Sequence, residues 1–366
     1  MLSSMQKTPA KSPSEPPTPS YSTEGDESAA QTIALPAHLA GSGALDRLVE
    51  TARDYARQAT SENTLRAYAK DWAHFTRWCR MRGAEPLPPS PELIGLYIAD
   101  LAAPQGKAAA LAVTSIERRL SGLVWAYTQR GARLDRKDRH IASVLAGIRR
   151  KHARPPAQKE AILPEDIRDM IATLPHGLRG LRDRAILLIG FAGGLRRSEI
   201  VSLDHGKDDT PDSGGWIDIL DGGVLITLRG KTGWREVEIG RGSADQTCPV
   251  HALTQWLHFA RIDFGPIFTA VSRNGLKATQ DRLSDKHIAR LIKQTVRDAG
   301  LRPELPEAER IRLYSGHSLR AGLASSAEVD ERYVQKQLGH ASAEMTRRYQ
   351  RRRDRFRINL TKAAGL

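Results

Sequence analysis

The sequence predicts a multidomain chain: a disordered N-terminal tail, an all-α helical bundle, and a mainly helical α+β domain with a small antiparallel sheet. Three observations carry that reading. Apolar residues recur at helical spacing through residues 44–150, with no alternating run among them. A basic, proline-broken stretch, "RRKHARPPAQKE", follows. Beyond it, three short segments alternate apolar with polar residues before helical spacing returns.

The opening "MLSSMQKTPAKSPSEPPTPSYSTEGDESAA" is rich in Ser and Pro and nearly free of large apolar residues, so residues 1–43 are expected to be a disordered tail. Order is expected from about Ala44. Leu45, Leu48, Ala52 and Tyr55 make one helical stripe, and Leu65, Tyr68, Trp72, Phe75 and Cys79 a second, with Ser61 as its cap. "SPELIGLYIADLA" starts a third helix, with Ser90 as cap and Pro91 at its first position. Ile116, Leu120, Leu123, Val124 and Tyr127 form a fourth face, stopped by Gly131. Ile141, Val144, Leu145 and Ile148 complete a bundle of four or five helices over 44–150. Residues 151–160 read as a basic linker whose charge suits a path near phosphates.

Residues 161–366 form the second domain. Two or three helices are expected over 164–203, interrupted at Gly193–Gly194. "WIDIL", "VLITL" and "REVEI" read as antiparallel strands, with Gly222–Gly223 and "RGKTG" as turns. From Pro249 onward the spacing is helical, broken by an irregular stretch at 300–314.

Charge narrows the partner. Of 366 residues, 56 are Lys or Arg and 42 are Asp or Glu, a formal net charge of +14. Residues 1–30 hold two Lys and four acids, so the excess belongs to the folded part and points to a polyanion such as nucleic acid. An anionic membrane competes for that charge, but no apolar run is long enough to span a bilayer and the N-terminus lacks a signal-peptide core. Cys79 and Cys248 alone make neither a disulfide framework nor a cysteine zinc site. These features predict a soluble, cytoplasmic chain.

Four stretches carry residues capable of chemistry. "GGLRRSEI" puts Arg196 after a Gly-Gly turn at a helix start, where a guanidinium can grip a phosphate. Its ordinary role would be pairing with Glu199 three residues on. "LRGKTGWREVEI" puts Lys231 in a turn between strands, a position usually filled by a solvated lysine but able to lower an ammonium group into a DNA groove. "GHSLRAG" sets His317 and Arg320 on one helical face. In "LGHASAEMTRRYQR", Gly339 ends a helix, His340 follows in the turn, and Tyr349 comes about two helical turns later. Seven arginines lie between 347 and 357, with Asp354 the only acid. A phenol with a pKa of about 10 needs such a field, or a base, to become a nucleophile.

Taken in order, Arg196, Lys231, His317, Arg320, His340 and Tyr349 resemble the tyrosine recombinase (phage integrase) family, over roughly residues 44–366. The resemblance makes 44–150, with its "SENTLRAYAKDWAHFTRWC" helix, the core-binding domain and 161–366 the catalytic domain. Two positions depart from the common pattern: Ala321 where many members have a second histidine, and Trp234 where many have a small or basic residue.

The resemblance implies that Tyr349 attacks the scissile phosphodiester to give a 3′-phosphotyrosyl bond and a free 5′-hydroxyl. Arg196 and Arg320 would hold the non-bridging oxygens, Lys231 would protonate the leaving oxygen, His317 would help deprotonate the tyrosine, and His340 would hydrogen-bond the phosphate. It implies double-stranded DNA as partner, a homotetramer in the synapse from free monomers or dimers, and no metal or other cofactor. A type IB topoisomerase shares the chemistry, and a recombinase fold without activity would be a DNA-binding regulator. The separate helical bundle favours a recombinase, and the presence of all six residues favours an active one.

Overall fold

The structure, a computed structural model, describes residues 45–104, 109–155, 158–230, 233–327, 330–339, 342, 344 and 347. It divides into two compact units, with the boundary between Pro156 and Ala157. Lys231, His340 and Tyr349, and the tail at 1–43, lie outside the described residues.

The first unit is helical: α1 (Asp46–Gln58), α2 (Glu62–Arg80), α3 (Pro91–Ala102), α4 (Val113–Thr128) and α5 (Arg139–His152). Helix α2 packs on α4, and α3 on α5. Phe75, Tyr97, Ile98, Ile116, Leu120, Leu123, Tyr127 and Ile141 are fully buried between them. Each such side chain contributes about 1.5–3 kcal/mol by leaving water. The expected cap of α3 forms, with Ser90 Oγ accepting from the Leu93 amide at 3.1 Å. Ser61 occupies the cap position of α2, but its hydroxyl pairs with Thr64 Oγ1 at 2.9 Å and caps no amide. The stripe on α1 is exposed, Leu48 at 61% and Tyr55 at 69%, because the core of α2–α5 closes without it. One buried carboxylate, Asp71, is clasped by Arg118 and approached by Arg119.

The second unit begins with α6 (Pro164–Ala172), the core helix α7 (Leu178–Ala192) and the short α8 (Arg197–Val201). A four-stranded sheet follows in the order β1 (Leu203–Asp204), β2 (Gly215–Leu220), β3 (Gly223–Gly230) and β4 (Gly233–Gly240). The three expected strands pair antiparallel as β2, β3 and β4, while the two-residue β1 runs parallel to β2. Ile217, Val224, Ile226, Leu228, Val237 and Ile239 turn one face of the sheet into a core shared with α7 and α9 (Pro249–Ala260).

The stretch after Pro249 is not wholly helical. β5 (Thr269–Val271) and β6 (Ala278–Arg282) form a hairpin too short to show periodicity. Arg282 on β6 donates to Asp204 Oδ1 at 2.7 Å, tying that hairpin to β1. Helices α10 (Asp285–Asp298), α11 (Glu307–Leu313), α12 (Ser318–Ser326) and α13 (Glu331–Leu338) complete the unit, so a helix also lies within the stretch expected to be irregular. Among the described residues no helix is long and apolar enough to cross a membrane.

Candidate active site

The Gly193–Gly194 turn delivers Arg196 to the site. Gly194 sits at φ +56°, and a β-carbon there would lie 2.4 Å from Leu338 Cδ2, so both the turn and the packing exclude a side chain. Arg196 then becomes the N-cap residue of α8. Its amide donates to Glu199 Oε2 at 2.8 Å, and its guanidinium pairs with Glu199 Oε1. The pairing expected from sequence therefore forms, but Glu199 is not a surface partner: it is only 6% exposed.

Glu199 serves a second arginine. Arg235 on β4 donates through Nη2 to Glu199 Oε2 at 3.0 Å and through Nη1 to the Gln337 carbonyl at the end of α13. Its Nε is buried and has no hydrogen-bond partner among the described residues. Burial pushes the Arg235 pKa down, and the Glu199 charge opposes that shift. The role of Arg235 was missed in the sequence, although the alternation of "REVEI" carries the signal. Val237 and Ile239 point inward, so Arg235 shares the core-facing register of β4.

His317 and Arg320 sit at the start of α12. The Ser315 hydroxyl accepts from the His317 amide at 3.2 Å, and the Ser318 hydroxyl accepts from the Ser315 amide at 3.0 Å, which fixes the helix entry. Arg320 is 1% exposed and donates to the Gly194 carbonyl at 2.7 Å and to the Leu338 carbonyl, bridging the Arg196 turn and the end of α13. His317 reaches the surface, yet partial desolvation lowers its pKa, with the charges of Arg320 and then Arg196 adding to the effect. Its imidazole is therefore biased toward the neutral form that can accept a proton.

Arg196, His317 and Arg320 thus come together. The other three candidates, Lys231, His340 and Tyr349, lie outside the described residues, but their neighbours do not. Gly230, just before Lys231, lies beside the Glu199 carboxylate, and a β-carbon there would be 3.7 Å from Oε1. Gly339, just before His340, ends α13 in the left-handed conformation expected of it, at φ +58°. A β-carbon at Gly339 would lie 2.7 Å from Arg235 Cδ. Arg347, two residues before Tyr349, pairs with Glu331 at 3.0 Å. Of the two departures, Ala321 is buried, while Trp234 is 59% exposed and lies against Trp216 with ring centroids 5.6 Å apart.

The model of the phage integrase family matches residues 160–355, which include all six candidate positions. The chain belongs to that family. It is a tyrosine recombinase, an enzyme that cuts and rejoins DNA strands in site-specific recombination. An integrase/recombinase XerD homolog of Selenomonas ruminantium is 33% identical over 328 residues, covering 86% of this integrase and 89% of the relative. The tyrosine recombinase XerA of Pyrococcus furiosus is 28% identical over 204 residues, 54% of this chain and 59% of that one. Among solved structures, a XerH site-specific recombinase bound to a palindromic difH substrate, in a post-cleavage complex, has a TM-score of 0.53 at 18% identity. That match covers 87% of this integrase and 88% of the XerH chain. A lambda integrase dimer bound to a COC′ core site has a TM-score of 0.50 at 15% identity, over 82% of this chain and 93% of that one. Both likenesses establish the fold of the integrase.

Proposed function

We propose that this recombinase cuts its target through Tyr349 and that Arg196, Lys231, His317, Arg320 and His340 assist the step. The tyrosine oxygen attacks phosphorus in line, the bond to the 5′-oxygen breaks, and the DNA is left with a 3′-phosphotyrosyl end and a 5′-hydroxyl. Arg196 and Arg320 stabilise the charge that grows on the non-bridging oxygens. Arg320 donates to the Gly194 and Leu338 carbonyls, which fixes its guanidinium. Neutral His317 receives the phenolic proton, Lys231 gives a proton to the departing oxygen, and His340 hydrogen-bonds the phosphate. Rejoining runs the same steps in reverse with a different 5′-hydroxyl, so the covalent bond conserves the energy of the cut.

One observation carries the reading: two arginines and a histidine far apart in sequence converge at the starts of α8 and α12, with the histidine pKa lowered. The helical unit over 44–150 acts in this proposal as the core-binding domain and 161–366 as the catalytic domain, joined by the basic linker at 151–160. Each binds the duplex, with four protomers in the synapse, and the enzyme works in the cytoplasm.

The test uses a duplex selected from a random-sequence library by binding to the full chain. Tyr349→Phe should bind that duplex like the parent and form no denaturation-resistant adduct. An adduct formed by this variant would assign the attack to another residue.

A further inference from the structure

The network around Glu199 reaches a residue that the six-residue scheme does not use. Arg235 lies on β4, which in the order β1-β2-β3-β4 is an edge strand and leads directly out of the Lys231 hairpin. An edge strand gets backbone hydrogen bonds from one side only, so something else must fix the hairpin end. Side chains supply that anchor. Arg235 crosses from β4 to Glu199 on α8 at 3.0 Å and to the Gln337 carbonyl on α13. Gln337 returns the link, its Nε2 donating to the Glu238 carbonyl on β4 at 3.0 Å. The last pair of the ladder, Gly230 with Gly233, follows two positions beyond the Leu228–Arg235 pair.

We propose that Arg235 is a positioning residue for strand cleavage, setting the lysine hairpin against the Arg196–Glu199 cap and the end of α13. This rests on the reading of Lys231 as the proton donor to the leaving oxygen. Arg235 touches no reacting atom. Its side chain is 10% exposed, and its Nη1 and Nη2 donate to the Gln337 carbonyl and to Glu199. The packing of Gly339 on the guanidinium adds a second contact from the segment that leads to His340. Without Arg235 the described end of the hairpin loses its side-chain tie to α8, and proton donation by Lys231 is the step expected to suffer. A misplacement of about 1 Å can cost about 10²-fold in rate.

The experiment compares Arg235→Ala with the parent full-length chain on the selected duplex, made with either oxygen or sulfur at the bridging 5′ position. A thiolate leaves without much help from a proton donor. Binding should stay within about twofold, cleavage of the oxygen duplex should fall about 10²-fold, and most of that loss should disappear on the sulfur duplex. Arg235→Lys keeps a cation opposite Glu199 and serves where the alanine variant melts below the assay temperature. The same oxygen-specific loss, smaller in size, is expected of it. Equal loss on both duplexes, or cleavage at the parental rate, overturns the proposal. A parent chain that forms no adduct on either duplex would instead refute the cleavage scheme itself.

Discussion

Glu199→Ala tests whether the arginine cluster is held by a buried charge. The Glu199 side chain is 7% exposed and accepts from the Arg196 amide, the Arg196 guanidinium and the Arg235 guanidinium. Arg196 is 28% exposed and can turn toward water when its partner goes. Arg235, at 10%, cannot, and would be left as a buried cation without its counter-charge. Removing one member of such a pair costs about 3–5 kcal/mol. For a domain of 150–250 residues each kcal/mol moves the midpoint by about 2–4 °C, so the catalytic unit should melt about 6–20 °C lower. Glu199→Gln keeps the shape and one acceptor, and should fall between the alanine variant and the parent. Differential scanning calorimetry of the full chain reads this, with Glu62→Ala, which removes an exposed helical pair with Arg66, as the control expected to leave the midpoint in place. A Glu199→Ala midpoint equal to that of the parent would refute the claim that this carboxylate neutralises a buried arginine.

Lys231→Ala should slow cleavage of ordinary DNA by about 10²–10⁴-fold, the range of general-acid catalysis, and recover on a 5′-sulfur duplex, whereas Tyr349→Phe should not recover. Full activity of Lys231→Ala on both duplexes would return the lysine to plain surface. The His317 pKa is lowered by desolvation, Arg320 and Arg196, so an NMR titration, assigned against His317→Gln, should place its midpoint below 6.5. The imidazole then stays neutral as pH falls through 6.5 and protonates only below it, and Arg196→Ala should move the midpoint upward. A midpoint at or above 6.5 in the parent contradicts the neutral-base assignment. Binding to duplex should weaken steeply and linearly on a log–log salt plot, because the chain carries a formal charge of +14 and its N-terminal 30 residues, with two Lys and four acids, contribute none of the excess. A flat plot would argue against phosphate contacts.

Much of this fold is written in local pattern. The caps at Ser90 and Gly339, the antiparallel trio β2–β4 and the core stripes of α2–α5 rest on interactions within a few residues or on strict alternation. The pieces that escaped are those whose reason is distant. β5 and β6 have too few residues for periodicity and are fixed by Arg282 reaching Asp204 across the unit. Leu48 and Tyr55 satisfy the helical stripe of α1 yet stay exposed, because periodicity reports an amphipathic helix and not what covers it. Arg320 showed itself only as a face-mate of His317. Its burial against the Gly194 and Leu338 carbonyls depends on chain segments 126 and 18 residues away. The alternation of "REVEI" sets Arg235 in the register of Val237 and Ile239, but nothing nearby in sequence names Glu199 and Gln337 as its partners.

The central claim is that a phenolic oxygen, and no other group, carries the broken strand. The selected duplex, incubated with the parent chain and quenched in detergent, gives a covalent complex that can be digested with protease and nuclease and sequenced by mass spectrometry. The expected product is a nucleotide attached through its 3′-phosphate to Tyr349, with a 5′-hydroxyl on the other fragment that a polynucleotide kinase labels without prior dephosphorylation. A nucleotide on any other side chain, or a 5′-phosphate on the released strand, would contradict it.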